Sequence, residues 1–474
     1  MAHAGEYDHV VFVSIDTMRS DVMGANPMPL WPLRYPGLRA PRTPVLDDLA
    51  GQGAYFPNMI TAAPYTAAAH GSILTGQFPI RHGLHEFYNG RLRSPTVFTY
   101  GRRVGRRTVM NVDFPIILGP QLGYTQDIDT YLTERDDDFV DAVVSAESTV
   151  ALAHFGGVHL PYGFHNLRFG GDAYRRKVAE LEEMLPADVP PLTDQLVESF
   201  RDAEDTDLLL RYKRAVNHFY AEGSYDLLFQ LYLDGVEHFL ASRFEPFLEK
   251  LTERVARTGK RMLLVLFADH GHEFDAHSYG HFNSMNEGVL RVPLMVVGPD
   301  VAPGTFVNRI RTVDIAPTVM ELAGIPVPST GVFDGASLAA TVRGKEPAPE
   351  DRPALAEAYT SDTREFVAYQ QRQLRGEPPG PLKHVLVGQA AYLDQRKLTR
   401  VTRRYQPGFA GIDEVDISRV ERFDDRRVPH EDPAADPTDL RQLLEDYRAA
   451  LQPPVPVSAD DTVRQQLRAL GYTV

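Results

Sequence analysis

The hydrophobic pattern of this chain contains three short apolar runs rich in β-branched and aromatic residues. They cover residues 9–15, 262–268 and 292–298, and the first two end directly in Asp16 and Asp269. Runs of this length and composition predict strands that are buried on both faces of a parallel sheet. Because ligands bind at the carboxyl ends of such strands, the two aspartates are better placed for chemistry than for packing.

Helical periodicity separates these predicted strands. Residues 43–52 predict one helix, and apolar residues recur at helical spacing through residues 224–258. Strands that alternate with helices predict an α/β fold with a doubly wound, mostly parallel sheet. Because residues 326–353 are rich in Pro, Gly and Ser, we expect a catalytic domain over residues 1–345. We expect residues 346–474 to form a smaller C-terminal α+β subdomain with an antiparallel sheet and a helix.

Composition narrows the possible functions. The chain has 474 residues, a formal net charge of −15 and no cysteine. The acidic balance argues against a nucleic-acid-binding surface, and the lack of cysteine excludes disulfides, thiolate metal sites and cysteine catalysis. No apolar run approaches the roughly 18 residues of a membrane span, and the polar N-terminus has no signal-sequence pattern. We therefore expect a cytoplasmic protein without nucleic-acid or membrane partners.

Two features with weak local signals are candidates for metal binding. Asp234 and His238 are four residues apart, so on a helix they lie on one face and suit a single divalent ion. The same spacing is equally typical of a capping or surface pair on an ordinary helix. Asp16, at the end of its predicted strand, is either a metal ligand or the N-cap of the segment that follows.

A stronger signal follows the second apolar run. Asp269, His270 and His272 come directly after it, and His281 lies a few residues further on. Four of the 16 histidines of the chain lie between residues 270 and 281. This density at the end of a strand favours a functional cleft over a solvated polar loop.

The segment 65–76 reads Tyr-Thr-Ala-Ala-Ala-His-Gly-Ser-Ile-Leu-Thr-Gly. Thr66 precedes a run of small residues that predicts a helix, so its hydroxyl suits a helix cap. A nucleophile at a helix N-terminus also gains from the exposed backbone N–H groups, which bind anions. Both roles predict the same residue at this place, and the local sequence leaves both open.

Taken together, these segments resemble the sulfatase branch of the alkaline phosphatase superfamily. The resemblance covers a first metal-binding strand at 15–21, a nucleophile signature at 66–76 and a second metal strand at 267–271. Further family motifs lie at 291–294 and 313–318. The shared order of these motifs implies the alkaline phosphatase-like fold.

Departures from the sulfatase pattern carry the functional information. Sulfatases have a Cys or Ser that is converted to formylglycine where this chain has Thr66, whose secondary alcohol cannot become the required aldehyde hydrate. The arginine position of the signature is His70, the expected lysine segment contains Asn111 instead, and His281 replaces a second lysine. This pattern resembles the phosphodiesterase and nucleotide pyrophosphatase branch, which uses a Thr nucleophile and two zinc ions.

The second resemblance implies two divalent metal ions, with zinc favoured and manganese as the alternative. The ligands expected for one ion are Asp16, Asp269, His270 and Thr66. The ligands expected for the other ion are Asp234, His238 and His281. The residues expected to act in catalysis are Thr66, His159 and His272. The residues expected to contact the substrate are His70 and Asn111.

The expected activity is hydrolysis of phosphate or phosphonate esters, of the phosphodiesterase or phosphatase type, through a covalent phospho-threonine. A transferase or mutase with the same chemistry is one alternative, and a sulfatase-like hydrolase that needs no formylglycine is another. A non-enzymatic scaffold is disfavoured, because such a ligand set serves no folding need in a core of this size. The expected partner is a small anionic ester, with specificity contributed by the insert at residues 166–217.

Overall fold

The fold is organised around a large central sheet. The computed structural model describes residues 7–85, 90–192, 202–281, 284–326, 331–359, 386–405 and 412–449. In chain order, the strands that precede the C-terminal sheet are β1 (His9–Ile15), β2 (Ala54–Ile60), β3 (Arg107–Val112), β4 (Thr130–Thr133), β5 (Thr149–Phe155), β6 (Met262–Phe267), β7 (Glu273–Asp275), β8 (Ser278–Gly280), β9 (Arg291–Val297), β10 (Gly304–Thr305) and β11 (Ile310–Arg311).

The central sheet is mostly parallel, as predicted. Its strand order is β10-β2-β9-β6-β1-β5-β3-β4, with β11 also paired to β2, while β7 and β8 form a separate hairpin. β1 pairs in parallel with both β5 and β6. β9 is antiparallel to β6 and β2, because the chain returns from β6 through residues 268–290 without the long helical crossover that a parallel return requires.

The helices match the periodicity of the sequence. The predicted helix at 43–52 is Pro44–Gln52, and the predicted segment 224–258 forms two helices joined by a π-helical turn at Leu240–Phe244. None of the described helices has the length and apolar character needed to cross a membrane. The α-helices are α1 (Trp31–Arg34), α2 (Pro44–Gln52), α3 (Thr66–Thr75), α4 (Pro79–His82), α5 (Val97–Arg103), α6 (Asp136–Ser145), α7 (Leu167–Glu183), α8 (Ala203–Ala221), α9 (Tyr225–Phe239), α10 (Glu245–Thr258), α11 (Glu287–Leu290), α12 (Ile315–Leu322), α13 (Ala339–Val342) and α14 (Thr438–Ala449).

The C-terminal part contains the predicted antiparallel sheet and helix. Its strands, in sheet order, are β12 (Ala354–Tyr359), β13 (Leu386–Leu393), β14 (Arg396–Tyr405), β15 (Ile412–Phe423) and β16 (Pro429–Glu431). This sheet shares an apolar cluster with the central fold, in which Tyr65 and Leu290 pack with Ala356 and Tyr392. The division of the chain at residue 345 stays a prediction, and the shared cluster means that the two parts pack as neighbours.

The sheet order fixes the place where chemistry is expected. β1 lies between β6 and β5, which come from distant parts of the chain, so the strand order reverses at β1. Loops that leave opposite sides of such a reversal open a crevice at the carboxyl ends of the strands. Asp16 follows β1, the segment 156–166 follows β5, and Asp269 lies just beyond β6.

A buried ion pair anchors the C-terminal sheet to the central fold. Lys397 of β14 is fully buried, and its Nζ donates to Glu287 Oε1 at 2.9 Å and to the carbonyl of Met285 at 2.6 Å. Burial alone would raise the pKa of Glu287, but Lys397 and Arg291 lower it to about 2. Removing one partner of such a pair leaves a buried charge without full compensation.

We expect Lys397→Met to lower the free energy of unfolding by about 3 kcal/mol, because Glu287 would lose a buried cationic partner. Urea denaturation at neutral pH measures this difference. Arg400→Met is the matched control, since Arg400 is an exposed residue of the same strand, and its effect should stay within about 0.5 kcal/mol. Equal losses in the two variants would contradict an anchoring role for the pair.

Candidate active site

Two carboxylates meet at the carboxyl end of the central sheet. Asp16 and Asp269 are both fully buried. Asp269 Oδ1 accepts hydrogen bonds from the backbone N–H groups of His270 at 2.9 Å and Thr17 at 3.3 Å. Thr17 has a φ of 59°, a left-handed conformation that turns the chain sharply after β1. This turn brings the amide of Thr17 to the carboxylate of the neighbouring strand end.

His270 adds a neutral imidazole to the two carboxylates. Its Nδ1 lies 3.0 Å from the carbonyl oxygen of Gly271, so we assign the proton to Nδ1 and the lone pair to Nε2. Nε2 lies 3.4 Å from Asp269 Oδ2 and 3.6 Å from Asp16 Oδ1. Burial lowers the pKa of His270 to about 4, so the lone pair remains available at neutral pH.

Thr66 completes the cluster from the N-terminus of α3. It is the first residue of the helix, and its hydroxyl lies 3.3 Å from Asp16 Oδ2 and 3.2 Å from His270 Nε2. The N-cap position belongs to Tyr65, and no side-chain hydrogen bond caps this helix. Of the two roles that the sequence left open for Thr66, the hydroxyl contacts therefore favour a place in the acidic cluster over a helix cap.

The electrostatics of the cluster are unfavourable without a cation. Asp16 Oδ1 and Asp269 Oδ2 are buried and have no hydrogen-bond partner among the described residues. Burial and the nearby charge of Asp16 raise the pKa of Asp269 well above its usual range. Burial also tends to raise the pKa of Asp16, but His154 and His270 hold it below its usual range. Converging carboxylate oxygens beside an imidazole lone pair fit a divalent cation.

The structure provides one such centre where two were predicted. Within the described residues, Asp16, Asp269 and His270 are the one group of acidic and histidine side chains whose ligand atoms all lie within 4.8 Å of one another. With Thr66 Oγ1, the set comprises three oxygens and one nitrogen. Both manganese and zinc accept carboxylate and imidazole ligands, so the donor set does not separate the two metals.

The second predicted metal site is not formed. Asp234 lies at the surface, where its carboxylate pairs with Arg39 at 2.7 Å and accepts from Gln230 at 2.9 Å. His238 packs its ring against Phe164, with the ring centroids 4.8 Å apart. The spacing did place Asp234 and His238 on one helix, but the contacts of α9 keep both out of the acidic cluster. The structure thus contradicts the assignment of Asp234, His238 and His281 to one metal ion.

His281 lies at the Thr66 cluster instead. Its ring stacks on that of His270 at 4.2 Å, and its Nδ1 lies 2.7 Å from the carbonyl oxygen of Pro64. His159 is the next ring, 5.7 Å from His281, and its Nδ1 lies 3.0 Å from the carbonyl oxygen of Leu160. The carbonyl contact fixes the proton of His159 on Nδ1 and leaves Nε2 for another partner.

His272 is close to these rings but is already engaged. Its Nε2 lies 2.8 Å from the hydroxyl of Tyr162, and its ring stacks on Tyr232 at 5.7 Å with an interplanar angle of 7°. Burial, with the neighbouring histidines, lowers the pKa of His272 well below its usual range. These contacts indicate that His272 positions the surrounding loops through Nε2. Its Nδ1 is buried without a hydrogen-bond partner among the described residues, so the catalytic role stays a prediction.

Two further histidines support the cluster from beneath. His70 was expected to contact substrate, but it is fully buried, with Nδ1 2.8 Å from the carbonyl oxygen of Thr66 and Nε2 2.9 Å from Ser14 Oγ. His154, which the sequence analysis missed, lies opposite Ser14 in β5, and its Nε2 is 3.3 Å from Asp16 Oδ2. A histidine inside the otherwise apolar stretch 149–155 was the available signal for it.

Asn111 is another prediction that the structure corrects. It is fully buried, its Nδ2 donates to Asp136 Oδ1 at 3.1 Å, and its Oδ1 accepts from the backbone of Arg135 at 3.0 Å. Both contacts fix the beginning of α6 and engage the two ends of the amide, which favours a positioning role over the predicted substrate contact. At the end of the same strand, Asp113 forms a bidentate pair with Arg243 at 2.7 and 2.8 Å.

Sequence comparisons point to one family. The sulfatase family model matches residues 8–110 and 241–325. A choline-sulfatase of Rhizobium meliloti (strain 1021) is 25% identical over 359 residues, which are 64% of this chain and 67% of that protein. Arylsulfatase K of Danio rerio is 44% identical over 77 residues, which are 16% of this chain and 14% of that protein. The alignment thus spans a small part of arylsulfatase K.

Solved structures share the fold at low sequence identity. A protein solved in complex with its substrate D-glucosamine-2-N,6-O-disulfate has a TM-score of 0.59 and 16% identity, covering 96% of this chain and 100% of that one. The phosphonate monoester hydrolase of Silicibacter pomeroyi has a TM-score of 0.56 and 15% identity, covering 94% and 96%. These likenesses confirm the predicted α/β architecture.

We expect Asp269→Asn to weaken the binding of Mn²⁺ or Zn²⁺ by at least about tenfold, because an anionic ligand becomes a neutral amide. Isothermal titration of the metal-free protein measures this affinity. Asp275→Asn is the control, because Asp275 lies on the same connection but pairs with Arg34 at the surface. Unchanged affinity in Asp269→Asn would place the ion elsewhere.

Asp269→Asn also tests the repulsion between the two buried carboxylates in the metal-free protein. A carboxyl with a raised folded pKa stabilises the fold below its unfolded pKa of about 4, and this contribution is lost as pH rises through the folded value. In chelator, the wild-type Tm should therefore fall more steeply with rising pH than the Tm of Asp269→Asn. Parallel Tm profiles would show that the two buried carboxylates do not repel each other.

Proposed function

We propose that this chain, in which residues 8–110 and 241–325 match the sulfatase family model, hydrolyses phosphate or phosphonate esters through a covalent phospho-threonine at Thr66. The observation that carries this proposal is the place of the Thr66 hydroxyl, within 3.3 Å of both Asp16 and His270 at the N-terminus of α3. A divalent cation bound by Asp16, Asp269 and His270 supplies Lewis-acid chemistry, lowering the pKa of a bound hydroxyl and stabilising negative charge on the ester.

The chemical nature of Thr66 separates this chain from formylglycine enzymes. Formylglycine reacts as an aldehyde hydrate, which a secondary alcohol cannot provide. A threonine oxygen can still attack an ester centre directly once its proton is removed. Asp16 Oδ2 accepts a hydrogen bond from Thr66 Oγ1 and orients the hydroxyl, whose proton passes to solvent.

The proposed reaction consists of two displacements at phosphorus, and each forms one bond to phosphorus and breaks another. In the first step the bond between Thr66 Oγ1 and phosphorus forms while the bond from phosphorus to the leaving oxygen breaks. In the second step the bond between the oxygen of water and phosphorus forms while the bond between phosphorus and Thr66 Oγ1 breaks. One proton of this water passes to Thr66 Oγ1, which restores the hydroxyl and releases the acid product. The backbone N–H groups of the first turn of α3 stabilise the anionic oxygens in both steps.

We assign the leaving-group proton to His159. Its Nδ1 is held by the carbonyl of Leu160, its ring lies 5.7 Å from that of His281, and it is partly exposed, unlike His270 and His281. A partly exposed imidazole exchanges protons with solvent between turnovers. His281 holds the backbone before the nucleophile through Pro64 and closes the other side of the cluster.

The charge of the site favours monoanionic esters. Burial lowers the pKa of His270 to about 4 and that of His281 well below its usual range, so both rings are neutral at pH 7. The charges of Asp16 and Asp269 balance that of a divalent cation. Since these groups leave little positive charge for a dianion, phosphodiesters and phosphonate monoesters fit better than phosphate monoesters.

Sulfate ester hydrolysis is the second candidate. A sulfate monoester is also a monoanion, and the relatives in the sequence comparison are named as sulfatases. The covalent intermediate would then be a sulfo-threonine, formed and hydrolysed by the same two displacements. Transfer to an alcohol or isomerisation within the substrate uses the same first step, with an acceptor other than water.

We expect the purified enzyme with Mn²⁺ or Zn²⁺ to turn over bis(p-nitrophenyl) phosphate and p-nitrophenyl phenylphosphonate at least about tenfold faster, in kcat/KM, than p-nitrophenyl phosphate, because the site suits a single negative charge. p-Nitrophenyl sulfate belongs in the same panel. Fastest turnover of the sulfate would replace the first candidate by the second. Adding glycerol would reveal a transferase if glycerol phosphate or phosphonate forms in place of free acid.

We expect Thr66→Ala to lower kcat by at least about 10³-fold, because the variant has no oxygen to form the covalent bond. Thr66→Ser should keep measurable activity, and acid quenching of wild type should trap a phosphoryl group on the peptide that contains Thr66. Thr75→Ala is the control, as it removes a buried hydroxyl at the far end of α3. High activity in Thr66→Ala would refute the nucleophile assignment.

A further inference from the structure

A cavity lies beside Tyr162, and none of the residues that line it belongs to the Thr66 cluster. Its volume is about 250 Å³, enough for roughly one substituted ring, since drug-sized ligands occupy pockets of about 300–1,000 Å³. It is formed between α7, α8 and α9, and it includes the Asp234 and His238 pair that the metal site does not use. The residues that shape its floor and rim are Tyr162, Phe164, Arg176, Tyr212, Asp234 and His238.

The rim carries two polar groups that have no ionic partner. Lys177 forms an ion pair with Glu180 at 2.7 Å, and Asp234 forms one with Arg39 at 2.7 Å. The charge of each of these residues is therefore compensated by its own partner. In contrast, neither Arg176 nor His238 has a hydrogen bond or ion pair within the described parts of the chain. A guanidinium without a partner matches the two oxygens of a carboxylate.

The floor of the cavity is aromatic. Tyr162, Phe164 and Tyr212 are buried there, and the rings of Tyr162 and Tyr212 lie 6.2 Å apart. Aromatic side chains bind the flat face of another ring, whether aromatic or sugar. An unpaired guanidinium above an aromatic floor therefore suits a ring that bears a carboxylate.

The cavity is also connected to the active site through elements that they share. Tyr162 lines the cavity, and its hydroxyl forms a hydrogen bond with His272 Nε2 at 2.8 Å. Helix α9 lines the cavity with Asp234, and on another face its Tyr232 donates to the carbonyl of Thr17 at 2.9 Å. An occupant thus contacts both elements that hold the edge of the Asp16 turn.

We propose that this cavity is an effector site for a small organic carboxylate carried on an aromatic or sugar ring. Arg176 binds the carboxylate, His238 donates a hydrogen bond, and the ring lies on Phe164 and Tyr162. Binding changes turnover at the Thr66 cluster through Tyr162 and α9. This site is independent of the chemistry proposed for Thr66, since it uses none of the residues of that cluster.

Binding is tested with two probes, benzoate for an aromatic source and glucuronate for a sugar source. At least one of them should bind the wild-type protein with a Kd below about 10 mM by ligand-observed NMR. Arg176→Ala should weaken this binding at least about tenfold, because it removes a charged hydrogen-bond partner. Arg175→Ala is the matched control: the neighbouring Arg175 faces away and pairs with Asp172 and Glu204.

Two further measurements keep the proposal falsifiable. Ala173→Phe fills the cavity and should abolish binding, while Thr66→Ala should not change it. Displacement of the probe by inorganic phosphate, or binding that survives Ala173→Phe, would move the probe to another site and overturn the proposal. Absence of binding by both probes at about 10 mM would overturn it as well.

The coupling is measured on the assayed reaction. A saturating probe should change kcat or KM at least about twofold in wild type and Arg175→Ala, and should have no effect in Arg176→Ala. Tyr162→Phe should retain probe binding but lose the kinetic effect. Unchanged kinetics in wild type with bound probe would overturn the effector role.

Discussion

Two carboxylates buried side by side govern the architecture of this active site. Asp16 and Asp269 have no exposed surface, and each has one oxygen that receives no hydrogen bond from any residue that the structure describes. Bringing two such groups out of water is unfavourable unless a cation or a shared proton compensates them. The fold imposes this arrangement, because β1 and β6 are adjacent parallel strands whose carboxyl ends coincide. A divalent ion held by these carboxylates would supply the compensation and would also serve the proposed chemistry.

The part of this site that depends on local sequence could be predicted. Asp16 and Asp269 end apolar runs, so the parallel-sheet rule was sufficient to bring them to one edge. The place of Thr66 beside them came from the family resemblance. The alternating strands and helices gave the fold class for the same reason. The predicted parallel pairing was wrong for β9, which is antiparallel to both of its neighbours. The direction of β9 depends on the length and structure of the connection from β6, which an apolar run does not reveal.

Other parts depended on tertiary contacts that no spacing encodes. Asp234 and His238 share a helix as predicted, but which way that helix faces is decided by the packing of α9, and Arg39 compensates Asp234 at the surface. His154 was missed for the opposite reason. It has no neighbouring motif, and its contact with Asp16 depends on the pairing of β1 with β5. In both cases the local sequence determines the position of the residue in its helix or strand, whereas the tertiary fold determines which residue it contacts.

Thr66, the proposed nucleophile, is held from several directions, which gives the neighbouring histidines a positioning role. His281 and His70 contact the carbonyl oxygens of Pro64 and Thr66, on either side of Tyr65. The hydroxyl of Tyr65 donates to the carbonyl of Tyr359 in β12. The C-terminal sheet and two neutral imidazoles therefore fix the backbone that carries Thr66. Because neutral imidazoles add no positive charge, they can position the nucleophile without disturbing the balance between the two carboxylates and a divalent cation.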